Sequence, residues 1–227
     1  MPLLEVIACS VADAIAAERG GAGRLELVRA LDVGGLTPPL PLVREIVKSV
    51  SIPVRVMVRE NAGFELADPS ELDTLCRAAR EIAELQTDGL VLGFLRGRTL
   101  DVELNKHILS QAPNLKATLH RAFEELEDPE SALAELKTWP QCDRILTSGA
   151  GQSWPERMRG LQQLADRASP ELTVIVGAGL DAERIRLLVG NTNIREFHVG
   201  RAARLDNDVH RPVDSARVKH LVSLLPA

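Results

Sequence analysis

Five residues of this 227-residue chain combine side chains that can move protons or hold an ion with positions inside otherwise apolar runs: Glu5, Glu26, Arg59, His120 and His198. Histidines facing carboxylates carry general acid–base chemistry, and the same groups ligate metals. Other chemistries lack their residues. The five lysines, Lys48, Lys106, Lys116, Lys137 and Lys219, fall on predicted helices or at strand starts, which argues against a Schiff-base mechanism. Neither a G-x-S-x-G elbow nor a Walker loop occurs.

The elements that must position these residues repeat one pattern, a short β-branched run, a turn signal and then a helical period. Strand-like runs are predicted at Leu3–Cys9, Arg24–Ala30, Pro53–Arg59, Gly89–Leu95, Leu115–Phe123, Arg144–Ser148, Thr173–Gly177 and Arg195–Gly200. Helix starts are signalled by Ser10 to Asp13, by Asp68-Pro69-Ser70-Glu71, by Asp128-Pro129-Glu130 and by Asp181-Ala182-Glu183. After the second of these, Leu72, Leu75, Cys76, Ala79, Ile82 and Ala83 share one face, so Cys76 is expected in the core. Dividing 227 residues by eight gives about 28 per unit, close to the ~30 of a βαβ repeat. Such regular alternation implies parallel strands under helices, and eight units predict one closed (β/α)₈ TIM-barrel domain over residues 1–227.

Chemistry in this architecture gathers at the C-terminal ends of the strands. Alternation by two places Glu5, Ile7 and Cys9 on one face of the first strand and Glu26 with Val28 on one face of the second. On the same rule Arg55, Met57 and Arg59 share a face of the third, Thr118 and His120 of the fifth, and Glu196, His198 and Gly200 of the eighth. Two readings of the lower charges stand side by side. Glu5, Glu26, Arg55 and Glu196 form either a buried ion-pair layer or part of a site. Arg59, His120 and His198 end their strands and read as site residues. The expected mechanism has His120 as general acid or base with Glu26 or Glu5 as the opposing carboxylate. Arg121 and Glu124 then extend the pocket, or form a surface pair. Thr147 and Ser148 offer donors after the sixth strand, and Gly177, Gly179, Gly200 and Arg201 after the seventh and eighth make the expected phosphate site.

Composition narrows the partners. The charge is 27 − 32 = −5, aromatic residues make up only 3%, and no basic block occurs, so nucleic acid is not an expected partner. No apolar run reaches the ~18 residues of a membrane span, and Met1-Pro2-Leu3-Leu4-Glu5 lacks the basic start of a signal peptide, so a cytoplasmic location is expected. Cys9, Cys76 and Cys142 are too few and too scattered for a disulfide framework or a structural zinc site.

Five segments together resemble the CutC copper homeostasis family: Leu25-Glu26-Leu27, Gly34-Gly35-Leu36-Thr37-Pro38, Leu119-His120-Arg121-Ala122-Phe123, Leu146-Thr147-Ser148-Gly149 and Glu196-Phe197-His198. The resemblance runs from Glu5 to about Arg201. It implies a cytoplasmic (β/α)₈ barrel involved in copper tolerance and Cu(I) binding, and it allows a homo-oligomer. It also implies copper-ligating cysteines two residues after the carboxylates of the first two strands, where this chain has Ile7 and Val28. Cys9 and Met57 are the nearest soft donors that could hold copper. The alternative is an enzyme of unassigned substrate acting on a small anionic or phosphorylated molecule.

Overall fold

The computed structural model describes residues 2–226. Eight parallel strands close into a barrel: β1 (Leu3–Ala8), β2 (Arg24–Leu27), β3 (Val54–Met57), β4 (Gly89–Leu92), β7 (Lys116–Leu119), β8 (Cys142–Thr147), β9 (Thr173–Val176) and β10 (Glu196–Val199). The barrel closes where β1 pairs with β10, Glu5 lying opposite His198. Between β4 and β7 a two-stranded hairpin, β5 (Leu95–Arg96) and β6 (Thr99–Leu100), stands outside the barrel. Each barrel strand is followed by a helix: α1 (Val11–Arg19), α2 (Leu40–Ser49), α3 (Glu71–Ala83), α4 (Val102–Leu109), α5 (Pro129–Leu136), α6 (Trp154–Ala168), α7 (Ala182–Asn191) and α8 (Ser215–Val222). This is the (β/α)₈ fold.

Local signals set most helix starts. Ser10, Asp128 and Asp181 each accept a first-turn N–H, and Ser153 forms a capping box with Glu156. The start of α3 differs from expectation. Asp68 accepts from Ser70 N instead of capping the helix, which begins at Glu71. The strands also end earlier than the apolar runs do. After Leu119 the chain leaves the ladder and tightens into a 3₁₀ turn at Arg121–Glu125, because the barrel mouth offers no further parallel partner.

The two faces of the strands differ in kind. Outward residues such as Leu4, Val6, Leu25, Val56 and Leu90 join the helices in one large apolar core, which includes Cys76. Inside the barrel only Ile7, Val28, Met57 and Val91 form an apolar cluster, with Cys9 and Leu31 packed against it. Most of the remaining inner positions of β1, β2, β3 and β10 are charged or histidine, and that inner wall carries the site.

Candidate active site at the barrel mouth

The N-terminal end of the barrel is a closed ion-pair network. Arg24 reaches Glu5 through Nε and Glu196 through Nη2 at 2.7 Å, and Arg144 holds both oxygens of Glu196 at 2.8 and 3.0 Å. Arg55 grips Asp143 with two N–H groups at 2.6 and 2.7 Å, donates to Asp88 at 2.8 Å and to Thr118 Oγ1 at 2.7 Å. Arg144 also touches Asp143, so the two halves are continuous. The ion-pair reading therefore holds for Glu5, Arg55 and Glu196. It fails for Glu26, which no arginine reaches among the described residues. Arg24 and Arg144, at the starts of their runs, were absent from the sequence reading although period two places Arg24 on the face of Glu26.

Glu5 connects this floor to the mouth. Its Oε1 accepts from His198 Nδ1 at 2.8 Å, which leaves Nε2 facing Glu26 Oε2 at 3.7 Å. Burial alone would raise the Glu5 carboxyl, but Arg24 and His198 outweigh it and hold the group well below the usual carboxylate range. Glu26 is buried too and lacks that partner. Desolvation and the nearby Glu5 charge push it up to about 7 against the pull of His198. Burial works against the charged form of His198, yet Glu26 and Glu5 together keep its pKa above the ordinary value. Glu26 and His198 thus face one another as an electrostatically coupled pair, while Glu5 orients the imidazole and is absent from the cavity lining.

His120 differs from its expected role. Its Nδ1 accepts from Ala122 N at 3.2 Å, so the neutral ring carries its proton on Nε2, and that buried N–H has no partner. Burial, with the charges of Arg59 and Arg121, lowers its pKa to about 3. The ring is therefore uncharged near neutrality, and with Nδ1 spent on Ala122 it can offer only its Nε2–H as a donor. Phe64 packs against the ring at a 5.1 Å centroid distance. Two glycines make room for the histidines: a Cβ at Gly93 would come within 2.8 Å of His120 Nδ1, and one at Gly177 within 3.1 Å of His198 Cδ2.

Arg59 is 5% exposed and lines the mouth, but its N–H groups hold the loop carbonyls of Gly34, Gly35, Ala62 and Gly63. It is a fixed positive charge more than a free donor. A cavity of about 680 Å³ opens between these residues, walled by Glu26, His198, His120 and Met57 and rimmed by Arg121, Arg184 and Arg201, with Gly179 and Gly200 in the rim loops. Arg184 was not among the expected site residues, because it sits inside α7 and not at a strand end.

Four expected ligand-binding residues do not line this cavity. Glu124 turns away to accept from Thr147 Oγ1 at 3.2 Å, Ser148 N at 2.5 Å and Arg121 at 2.8 Å, so the donors of Thr147 and Ser148 are spent on a loop brace. Gly177 serves packing against His198. At the start of α7, Asp181 already accepts from Arg184 N at 2.9 Å. The N–H groups of Gly179, Gly200, Arg201 and Ala202 remain without an acceptor among the described residues.

Metal fit follows from the donors. Among the described residues, Glu5, Glu26 and His198 place ligand atoms within 4.8 Å of one another. These oxygens and nitrogens suit harder ions than Cu(I), which prefers thiolate and thioether. Both Glu5 oxygens are already bonded, leaving two free ligands, short of a closed site. Cys9 lies half-buried beside Arg204, whose Nη2 is 3.6 Å from Sγ, and burial raises its thiol pKa, which disfavours the thiolate. With Ile7 and Val28 in the apolar cluster, the residues present do not fit Cu(I).

Residues 2–203 match the sequence profile of the CutC family. A family protein CutC of Xanthomonas campestris is 34% identical over 236 residues, covering 98% of both chains. The mouse copper homeostasis protein cutC homolog is 36% identical over 207 residues, covering 90% of this chain and 75% of its own. The crystal structure of CutC from Streptococcus agalactiae superposes with a TM-score of 0.79 at 26% identity, covering 87% of this chain and 98% of that one. With its closed eight-stranded barrel and its Glu26, His120 and His198 segments in these positions, the chain belongs to the CutC family.

Proposed function

We propose that this chain shares, in the cytoplasm, the copper-homeostasis role for which its mouse and human relatives are named, and that its barrel mouth is an acid–base active site for a small anionic molecule. One observation carries the molecular part: Glu26 Oε1 and His120 Nε2 are buried, unpartnered and on the walls of one cavity. Leaving a buried polar atom unpaired costs about 1–3 kcal/mol, so two of them facing one space mark groups that a ligand completes.

Charge selects the ligand class. Among the cavity residues four arginines, Arg59, Arg121, Arg184 and Arg201, face two acids, Glu26 and Asp181, giving 4 − 2 = +2 in a chain of net −5. The unspent N–H groups of the loops after β9 and β10 add donors for phosphate or carboxylate oxygens. Three free cysteines agree with a reducing compartment. The Cu(I) arm is weak in this chain for want of soft ligands, and the copper role then runs through the small molecule.

Thermal unfolding with increasing inorganic phosphate, dihydroxyacetone phosphate and citrate tests the assignment. The midpoint should rise with ligand concentration, as mass action on the native state requires, and less so in Arg201→Ala. No shift with any of the three up to millimolar concentration would refute it. In a parallel Cu(I) titration under reducing conditions the native chain should show no stoichiometric tight binding, whereas Ile7→Cys combined with Val28→Cys should gain it.

A further inference from the structure

We propose that the site moves a proton at a carbon next to a carbonyl: His120 donates its Nε2–H to the carbonyl oxygen, and the Glu26–His198 pair removes and returns the carbon-bound proton of a small phosphorylated hydroxycarbonyl compound. The inference rests on the anion-binding active site proposed above and names its reaction and substrate class.

The two walls are chemically opposite. On β2 and β10, Glu26 and His198 provide a base. Glu26 Oε1 has no partner, no arginine pairs with the carboxylate, and its pKa of about 7 makes it both ionised in good part near neutrality and basic enough to accept a proton. His198 Nε2 stands 3.7 Å from Glu26 Oε2, and its Nδ1 is locked to Glu5, so the imidazole can carry the proton between carbons while Glu5 stabilises its charged form. Immediately past β7, His120 provides the electrophile. The Ala122 N–H bond fixes the tautomer, Phe64 and the side-chain-free Gly93 fix the ring, and His120 walls the cavity with a buried, unpartnered N–H. A neutral imidazole held this way polarises a carbonyl and stabilises the oxyanion that forms, at no cost of reorganisation. In the barrel ring β3 and β4 separate β2 from β7, so the base and the electrophile approach the cavity from different strands.

The step balances without an external reagent. The Glu26 carboxylate takes the proton from the carbon adjacent to the carbonyl. The C–H electron pair becomes the C=C bond of the enediolate, and the carbonyl π pair moves onto oxygen, where His120 Nε2–H and the nearby Arg59 charge receive it. Return of the proton to the same carbon regenerates the substrate. Return to the neighbouring carbon, with a proton shifted between the two oxygens, moves the carbonyl by one position. Nothing is oxidised or reduced overall.

Proton exchange in D₂O followed by NMR reads this step directly, with dihydroxyacetone phosphate and ribulose 5-phosphate as probes. The native protein should speed loss of the signal of the C–H beside the carbonyl. Glu26→Gln should slow that exchange by about 10²- to 10⁴-fold. His120→Leu should slow it by about 10²- to 10³-fold. A second measurement needs no variant: phosphoglycolohydroxamate, a planar enediolate mimic, should bind the native protein about 100-fold more tightly than glycerol 3-phosphate, which has no carbonyl. Phosphate binding without exchange of either probe and without preference for the hydroxamate overturns this inference and leaves the anion site standing. Absence of phosphate binding overturns both.

Discussion

The floor and the mouth of this barrel hold the same kinds of side chain and use them differently. At the floor the carboxylates have guanidinium partners: buried Glu5 and Glu196 share Arg24, and half-buried Asp143 is gripped by Arg55. At the mouth Glu26 has none, and His120 keeps an unspent N–H. Fully paired charges lock strands to one another, since their desolvation is offset only by the partner. Unpaired ones impose a cost that a ligand would remove. Burial therefore does not separate structure from function in this molecule, because Glu5 and Glu26 are 1% and 3% exposed. The presence or absence of a partner does.

Removing a floor charge should have the largest effect. Arg24→Met leaves buried Glu5 without a guanidinium while Arg144 still holds Glu196, and urea denaturation should show a loss of about 3–5 kcal/mol. A loss under 1 kcal/mol would mean that the floor is no more structural than the mouth. The acid limb reports the same pairing. Because Glu5 titrates in the folded state well below its unfolded value near 4.5, its contribution is present above that value and is lost as pH falls below it toward the folded pKa.

At the mouth the sign inverts. Glu26 titrates at about 7 when folded against a usual 4.5, so its stabilising contribution is complete below pH 4.5 and disappears as pH rises through 7. Glu26→Gln should then be more stable than the native chain at pH 8 by about 1–2 kcal/mol and flatten the slope between pH 5 and 8. Equal destabilisation at both pH values would put Glu26 in the same class as Glu5. The smallest change is expected at the rim. Arg121 is exposed and pairs with Glu124 at 2.8 Å, so Arg121→Ala should alter stability by less than about 0.5 kcal/mol while weakening phosphate binding.

Much of this architecture was legible in the residues. The alternation of short β-branched runs with capped helical periods predicts eight units, and the eight strands follow it. Ends were less legible, because a run such as Leu115–Phe123 stays apolar past Leu119, where the ladder stops and a 3₁₀ turn begins. The site was legible in part. Period two brought Glu26, His198 and His120 to the barrel interior, but it could not show which ring nitrogen of His120 is spent on the backbone. That distinction lies in a backbone bond from Ala122 to Nδ1, which sequence spacing does not encode. Thr147 and Ser148 looked like ligand donors for the same reason. Their partner, Glu124, lies 23 residues away from Thr147 and meets it only across neighbouring strand ends.

Sequence by itself determined the fold, the family and the chemical types at the strand ends, because periodicity, capping and residue identity are local properties. Tertiary structure alone decided which glutamate is held by a guanidinium and which is not. Glu5 and His198 are 193 positions apart and meet only because the barrel closes β1 against β10. That closure brings His198 to Glu5, Arg24 reaches Glu5 from the neighbouring β2, and Glu26 is left without a guanidinium, so two glutamates of the same type differ in pKa through their neighbours alone.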